Sequence, residues 1–90
     1  LLTWKLAPCL AMGNTAVVKP SEVTPMTAFL MADLLNEAGL PPGVCNIIFG
    51  RGETAGDALV KHPGVPLISF TGGTETGLKV QQSAAPQFKK

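Results

Sequence analysis

The chain has 90 residues, of which 46% are hydrophobic and only 14% charged; seven basic and six acidic residues leave a net charge of +1. That length suits one small domain, and so even a charge balance excludes the basic stripe of a nucleic-acid-binding surface. Charge this sparse, against about 25% in an average domain, is expected where other protein covers much of the surface.

The opening LLTWKLAPCLAM places Leu2, Leu6, Cys9 and Leu10 on one helical face and predicts a helix over Leu2 to Met12, ended by Gly13-Asn14. It carries Lys5 and Pro8 and is too short to span a bilayer. Ala16-Val17-Val18 is apolar and β-branched and reads as a buried strand closed by Lys19-Pro20. The next helix has the strongest pattern. Thr24 suits its N-cap and Pro25 its first position, and Met26, Phe29, Leu30, Leu34, Leu35 and Ala38 recur at helical spacing. Gly39 supplies a left-handed end, and Pro41-Pro42 prevents continuation.

Val44 to Phe49 reads as a second buried strand, opening into Gly50-Arg51-Gly52-Glu53-Thr54-Ala55-Gly56. A short helix over Glu53 to Lys61 follows, stopped near His62-Pro63-Gly64. Leu67 to Phe70 reads as a third strand, opening into Thr71-Gly72-Gly73-Thr74-Glu75-Thr76-Gly77 and a helix to about Ser83. Strands apolar throughout and alternating with helices predict an α/β fold: a three-stranded parallel piece of a Rossmann-like domain with flanking helices. There is no Met at position 1, and Phe88-Lys89-Lys90 adds no closing element, so both ends read as cut and the chain as a fragment.

In open α/β sheets ligands bind beyond the carboxyl ends of the strands, and each end here carries a distinctive group. After the first strand come Lys19 and Glu22. A lysine can donate to ribose hydroxyls and a carboxylate can accept from two of them. Such a carboxylate repels a 2′-phosphate, which favours NAD over NADP. The alternative is that both are solvated loop charges. After the second strand come Gly50, Gly52 and Gly56, where glycines allow close backbone approach and a helix start favours an anion. Glycine-rich turns also arise from packing alone, and Glu53 would oppose a phosphate there. After the third come Gly72, Gly73 and Gly77, with the same logic. A phosphate-binding Walker loop is excluded, because Leu78 separates Gly77 from Lys79 and no Ser or Thr follows the lysine.

The remaining candidates read as structural. Cys9 and Cys45 are expected to be small buried hydrophobes, reduced in a cytoplasmic type of compartment, with no histidine placed to activate either. His62 suits a helix end, Trp4 and the methionines suit packing, and no cluster has metal-ligand spacing.

Taken in order, GNTAVVKPSEVTP, LPPGVCNIIFG and SFTGGTETG resemble the coenzyme-binding domain of the aldehyde dehydrogenase superfamily over essentially the whole chain. The resemblance implies NAD(P)-dependent oxidation of an aldehyde to a carboxylic acid: a cysteine thiolate attacks the aldehyde, hydride passes to nicotinamide, and water releases the acid. Position by position it implies adenosine-ribose contacts at Lys19 and Glu22. It implies an adenine-cleft wall at Gly52, Glu53 and Gly56, a pyrophosphate-facing turn at Gly72 and Gly73, and an adenine-pocket position at Thr76. It also implies a substrate-tunnel position at Trp4 and proton-relay support at Lys5. Gly73 stands where relatives often have serine, and Glu53 where many have proline. No catalytic residue is expected within the chain, since the superfamily's asparagine, glutamate and nucleophilic cysteine lie outside it and neither Cys9 nor Cys45 matches the latter. The resemblance implies an aldehyde-oxidising parent that forms a homo-oligomer, and the charge pattern, segment lengths and residue spacing lead us to expect no nucleic-acid, membrane or metal partner. A second expectation is a non-catalytic truncated chain that binds nucleotide weakly or serves a structural role.

Overall fold

The computed structural model describes residues 1–90 in full. It divides into two compact units, Leu1–Arg51 and Gly52–Lys90.

The first unit begins with helix α1 (Leu2–Ala11), which runs through Pro8. Its end is tied by backbone bonds from Gly13 to Leu10 and from Asn14 to Cys9, with Gly13 at φ +80°. Strand β1 (Ala16–Val18) pairs in parallel with β2 (Cys45–Ile47) in the register Ala16↔Cys45, Val17↔Asn46, Val18↔Ile47. Bonds from Ala16 N to Val44 O and from Ile48 N to Val18 O, both 2.9 Å, extend the ladder at each end.

Helix α2 (Met26–Glu37) connects the two strands and packs on β2. It starts one residue later than its sequence pattern suggests. Pro25 already has helical backbone angles and accepts from Phe29 N at 3.0 Å, and no side chain caps the start. Thr24 is therefore not a side-chain cap; its amide closes a turn onto Ser21 O, while Ser21 Oγ accepts from Val23 N. At the other end Gly39 takes φ +84°, and bonds from Gly39 to Asn36 and from Leu40 to Leu35 form the paired closure of a left-handed helix terminus.

The apolar stripe of α2 is only partly covered: Phe29 and Leu30 are each 53% exposed and Leu34 57%. Length explains this. Twelve helical residues span about 18 Å, whereas three strand residues span about 10 Å, so the sheet cannot shield the helix. Burial is correspondingly sparse: Leu6 and Ala28 are the buried apolar residues of this unit, and Ala84 is that of the second.

The second unit opens with a single π-helical turn (Gly52–Gly56) that runs into α3 (Asp57–Lys61). Helix α3 packs against α4 (Thr74–Ala84), which passes into a short 3₁₀ turn at Ala85–Gln87. The carbonyls at the end of α3 are satisfied by the tail of the chain: Gln87 Nε2 donates to Lys61 O at 2.8 Å, and Lys89 Nζ donates to His62 O. His62 closes its own turn by accepting from Gly64 N at Nδ1, 3.0 Å away, matching its expected helix-end role.

The expected third strand is the main difference from the sequence reading. The sheet has two strands, and Leu67 to Phe70 is not one of them. The segment instead makes one parallel-type rung with the end of the chain, Ile68 N to Lys90 O at 2.8 Å and Lys90 N to Pro66 O at 3.0 Å. A strand exists only through a ladder with neighbours, and one rung does not make one. Nor is the segment buried throughout, since Leu67 is 61% exposed and Phe70 42%. The expected second strand, Val44 to Phe49, contracts for the same reason to the residues facing β1.

The end of α2 provides a stability test. Gly39→Ala meets no neighbouring atom within 4 Å, so its whole cost is the left-handed backbone, about 1–2 kcal/mol. Urea unfolding should show that loss, and Gly39→Asn should recover part of it.

Candidate functional site

The carboxyl end of β1 delivers Lys19 to a set of fixed acceptors. Its Nζ donates to Pro20 O at 2.7 Å and to Gly50 O at 3.1 Å, and lies 3.7 Å from Glu22 Oε2. The lysine side chain is only 14% exposed, whereas that of Glu22 is 51% exposed. The solvated-charge alternative therefore fails for Lys19 but not for Glu22. Lys19 bridges the ends of both strands, and Glu22 keeps most of its acceptor capacity toward solvent. An exposed pair at this distance contributes at most about 1 kcal/mol. The two backbone bonds are the stronger part of the arrangement, since bonds from a charged donor contribute about 1.5–3 kcal/mol each. Gly50, at φ +155°, turns the chain where its carbonyl meets the ammonium.

In the second unit Gly52, Glu53 and Gly56 lie together on the π-helical turn, with Glu53 in its first turn. Gly72, Gly73 and Thr76 lie together at the start of α4. Gly73 is the N-cap, extended at φ −67°, ψ 149°, with no side-chain cap, and its carbonyl accepts from Gly77 N at 2.9 Å. The first-turn amides of Thr74, Glu75 and Thr76 thus have neither an intrahelical nor a side-chain acceptor, which makes this end an anion-binding geometry. Glu75 opposes an anion, and its ion pair with Lys79 at 3.2 Å partly offsets that charge.

Phe70 underlies this turn. A Cβ at Gly72 would lie 2.6 Å from Phe70 Cζ, and one at Gly77 3.5 Å from Phe70 Cε1, whereas Gly73 and Gly52 face nothing within 4 Å. A side chain at Gly72 would therefore displace the partly exposed Phe70 ring, whereas Gly73 faces open space.

The other residues fall as follows. Trp4 is 79% exposed on α1 beside half-buried Lys5. Cys9 and Cys45 are free thiols and half-buried, a correction to the fully buried positions expected. Burial, followed by the nearby Cys9 thiol, pushes the Cys45 thiol above its ordinary value, opposite to what an activated nucleophile needs. No group of three or more His, Cys, Asp or Glu side chains could hold a metal, and no helix is long and apolar enough to cross a membrane. An apolar groove of about 220 Å³ lies between α2 and β2, lined by Phe29, Leu35, Cys45 and Phe49 among others.

Two features escaped the sequence reading: the Gly50 carbonyl as the partner of Lys19, and Phe70 as the floor under Gly72. Each joins residues distant in sequence or depends on where a side chain turns. Only the bare glycine pair at 72–73 offered any signal.

The whole chain, residues 1–90, matches the aldehyde dehydrogenase family, and the chain belongs to that family. It is 62% identical over all 90 residues to 2-aminomuconic semialdehyde dehydrogenase of Danio rerio, and 60% identical over 89 residues to phenylacetaldehyde dehydrogenase of Pseudomonas fluorescens. The chain spans 18% of the length of each of these relatives and 99–100% of itself in the match. Betaine aldehyde dehydrogenase from Staphylococcus aureus, solved in complex with NAD+, superposes with a TM-score of 0.96 at 44% identity, covering 99% of this chain and 18% of that one.

The two glycines before α4 should respond differently to the same methyl group. Gly72→Ala drives Cβ into the Phe70 ring, which is partly exposed and can shift, and should cost about 1 kcal/mol. Gly73→Ala, with ordinary backbone angles and open space, should lose only the N-cap preference for glycine, about 0.5 kcal/mol. Equal effects in urea melts of the two variants would contradict the Phe70 contact.

Proposed function

We infer that the chain is the part of an NAD-preferring aldehyde dehydrogenase that holds the adenosine diphosphate portion of the coenzyme. The parent protein oxidises an aldehyde to a carboxylic acid. The observation that carries this reading is the uncapped start of α4 behind Gly72-Gly73, in a chain whose family includes an NAD+ complex of nearly the same backbone.

The residues fit the group. Thr74, Glu75 and Thr76 offer amide donors to the pyrophosphate, and open Gly73 lets it approach the helix end. Glu22 presents a half-exposed carboxylate to ribose hydroxyls. A hydroxyl that accepts a hydrogen bond from Lys19 Nζ would replace its 3.7 Å contact with Glu22, the longest of the three, and leave both carbonyl bonds intact. Gly52, Glu53 and Gly56 would border the adenine, with Glu53 weakening that contact. Bound NAD supplies the hydride acceptor; the chain's own residues bind and orient it. Trp4 and Lys5 on α1 are assigned to the substrate tunnel and to proton-relay support. The nucleophile, general base and oxyanion donor belong to the rest of the parent, which is a homo-oligomer in this reading.

Substrate identity lies outside this segment. Relatives named for a muconic semialdehyde and for phenylacetaldehyde are almost equally similar here, at 62% and 60%. NAD preference over NADP is assigned to Glu22, whose carboxylate would repel a 2′-phosphate. A second reading, a non-catalytic chain with weak nucleotide binding, is favoured for the 90 residues taken alone by how few apolar residues are buried, Leu6 and Ala28 in the first unit and Ala84 in the second.

Two measurements test this. In the full-length protein, Glu22→Ser should lower the kcat/KM preference for NAD over NADP by at least about tenfold, or 1.4 kcal/mol; an unchanged ratio removes Glu22 from the coenzyme site. The purified 90-residue chain should show no aldehyde-dependent NADH formation, and turnover by it would refute the placement of the catalytic groups elsewhere.

A further inference from the structure

The turn before α4 has little of its own to fix its shape. Gly72 and Gly73 stand side by side there, and glycine has the widest backbone freedom of any residue. No side chain caps the helix. Gly73 is tied to α4 through its carbonyl, which accepts from Gly77 N at 2.9 Å. Gly72 is met by Phe70: an added Cβ would lie 2.6 Å from Cζ and 3.3 Å from each Cε atom. The same ring reaches Gly77, one turn inside α4, where a Cβ would lie 3.5 Å from Cε1 and 3.8 Å from Cδ1. Phe70 thus supports the chain on both sides of the cap residue. The segment leading into Phe70 is itself anchored. Ile68 N donates to Lys90 O at 2.8 Å, and Lys90 N donates to Pro66 O at 3.0 Å. All of these residues belong to the second unit.

We propose that Phe70 is a positioning residue for the diphosphate of the coenzyme: its ring sets the height of the Gly72-Gly73 turn and so aims the free amides of Thr74, Glu75 and Thr76. The role rests on the coenzyme reading given above. An N–H···O bond is effective only over about 2.7–3.2 Å, and the field of a helix start fades within its first turn. A turn that slides over a missing ring therefore loses its bonds to a phosphate while the helix behind it stays folded. Phe70 has no charge and no hydrogen-bonding group, so it acts on the diphosphate only through the backbone it supports. Adenosine, which lacks the diphosphate, does not sense that support.

The test uses the full-length protein and measures the inhibition constants of ADP and of adenosine against NAD. In the unsubstituted protein ADP should bind more tightly than adenosine, because only ADP reaches the α4 amides. Phe70→Leu should weaken ADP by at least about threefold, the scale of one charge interaction at a helix end, and leave adenosine unchanged. KM for NAD should rise by a similar factor, with kcat at saturating NAD within about twofold of its original value. Gly72→Ala should also weaken ADP, through the displaced ring. Leucine has no atom at the Cζ position, so Phe70→Leu combined with Gly72→Ala should weaken ADP by less than the product of the two single effects. Equal losses of ADP and adenosine affinity would reduce Phe70 to general packing. Unchanged ADP affinity in Phe70→Leu, or single effects that simply multiply, would likewise overturn the proposal and leave the coenzyme reading standing. ADP binding no tighter than adenosine in the unsubstituted protein would overturn that reading at α4, and the proposal with it. Should Phe70→Leu fail to fold, Gly72→Ala decides, and equal weakening of ADP and adenosine by it would overturn the proposal.

Discussion

The Lys19 ammonium is the point on which the first unit turns. A parallel ladder of three residues is too short to fix its own ends, and parallel pairs have no tight hairpin to hold them in register. Lys19 supplies the missing constraint by binding the carbonyl of its neighbour Pro20 and that of Gly50 beyond β2. One side chain thus holds the two strand ends side by side and places Glu22 next to them. The charge is tolerable because the ammonium is bonded to carbonyl oxygens that otherwise would need water.

The second unit is organised by a different economy. Helix α3 is short, and its carboxyl end is completed by the tail of the chain. Gln87 and Lys89 take the last carbonyls of α3, and Lys90 supplies the rung for Ile68. Phe70 sits under the Gly72 turn and leaves Gly73 open at the start of α4. The same packing that positions the turn therefore keeps the amides of α4 accessible, so local structure and the proposed phosphate contact have one cause.

The stripe of apolar residues on α2 connects packing to family. A helix about 18 Å long set on strands about 10 Å long leaves Phe29, Leu30 and Leu34 half-exposed. A chain spanning 18% of its relatives' length carries a sequence pattern suited to more cover than these 90 residues provide. Low charge and high hydrophobic content are the compositional side of the same fact.

What the sequence by itself determined is local and compositional. The helix ends at Gly13 and Gly39, the apolar strand cores at Ala16–Val18 and Cys45–Ile47, the termination of α3 before Pro63 and the family motifs all follow from spacing, backbone restriction and residue type. What only the tertiary structure decided is pairing. Leu67 to Phe70 has a strand-like composition but meets only one rung in Lys90. Thr24 has the chemistry of a cap, but its amide closes a turn onto Ser21 and α2 begins one residue later with no side-chain cap. Lys19 reads as a loop charge until Gly50 arrives beside it. The physical reason is the same in each case: a hydrogen bond or a packed ring needs two partners, and a sequence names each without showing which ones the folded chain brings within 3 Å.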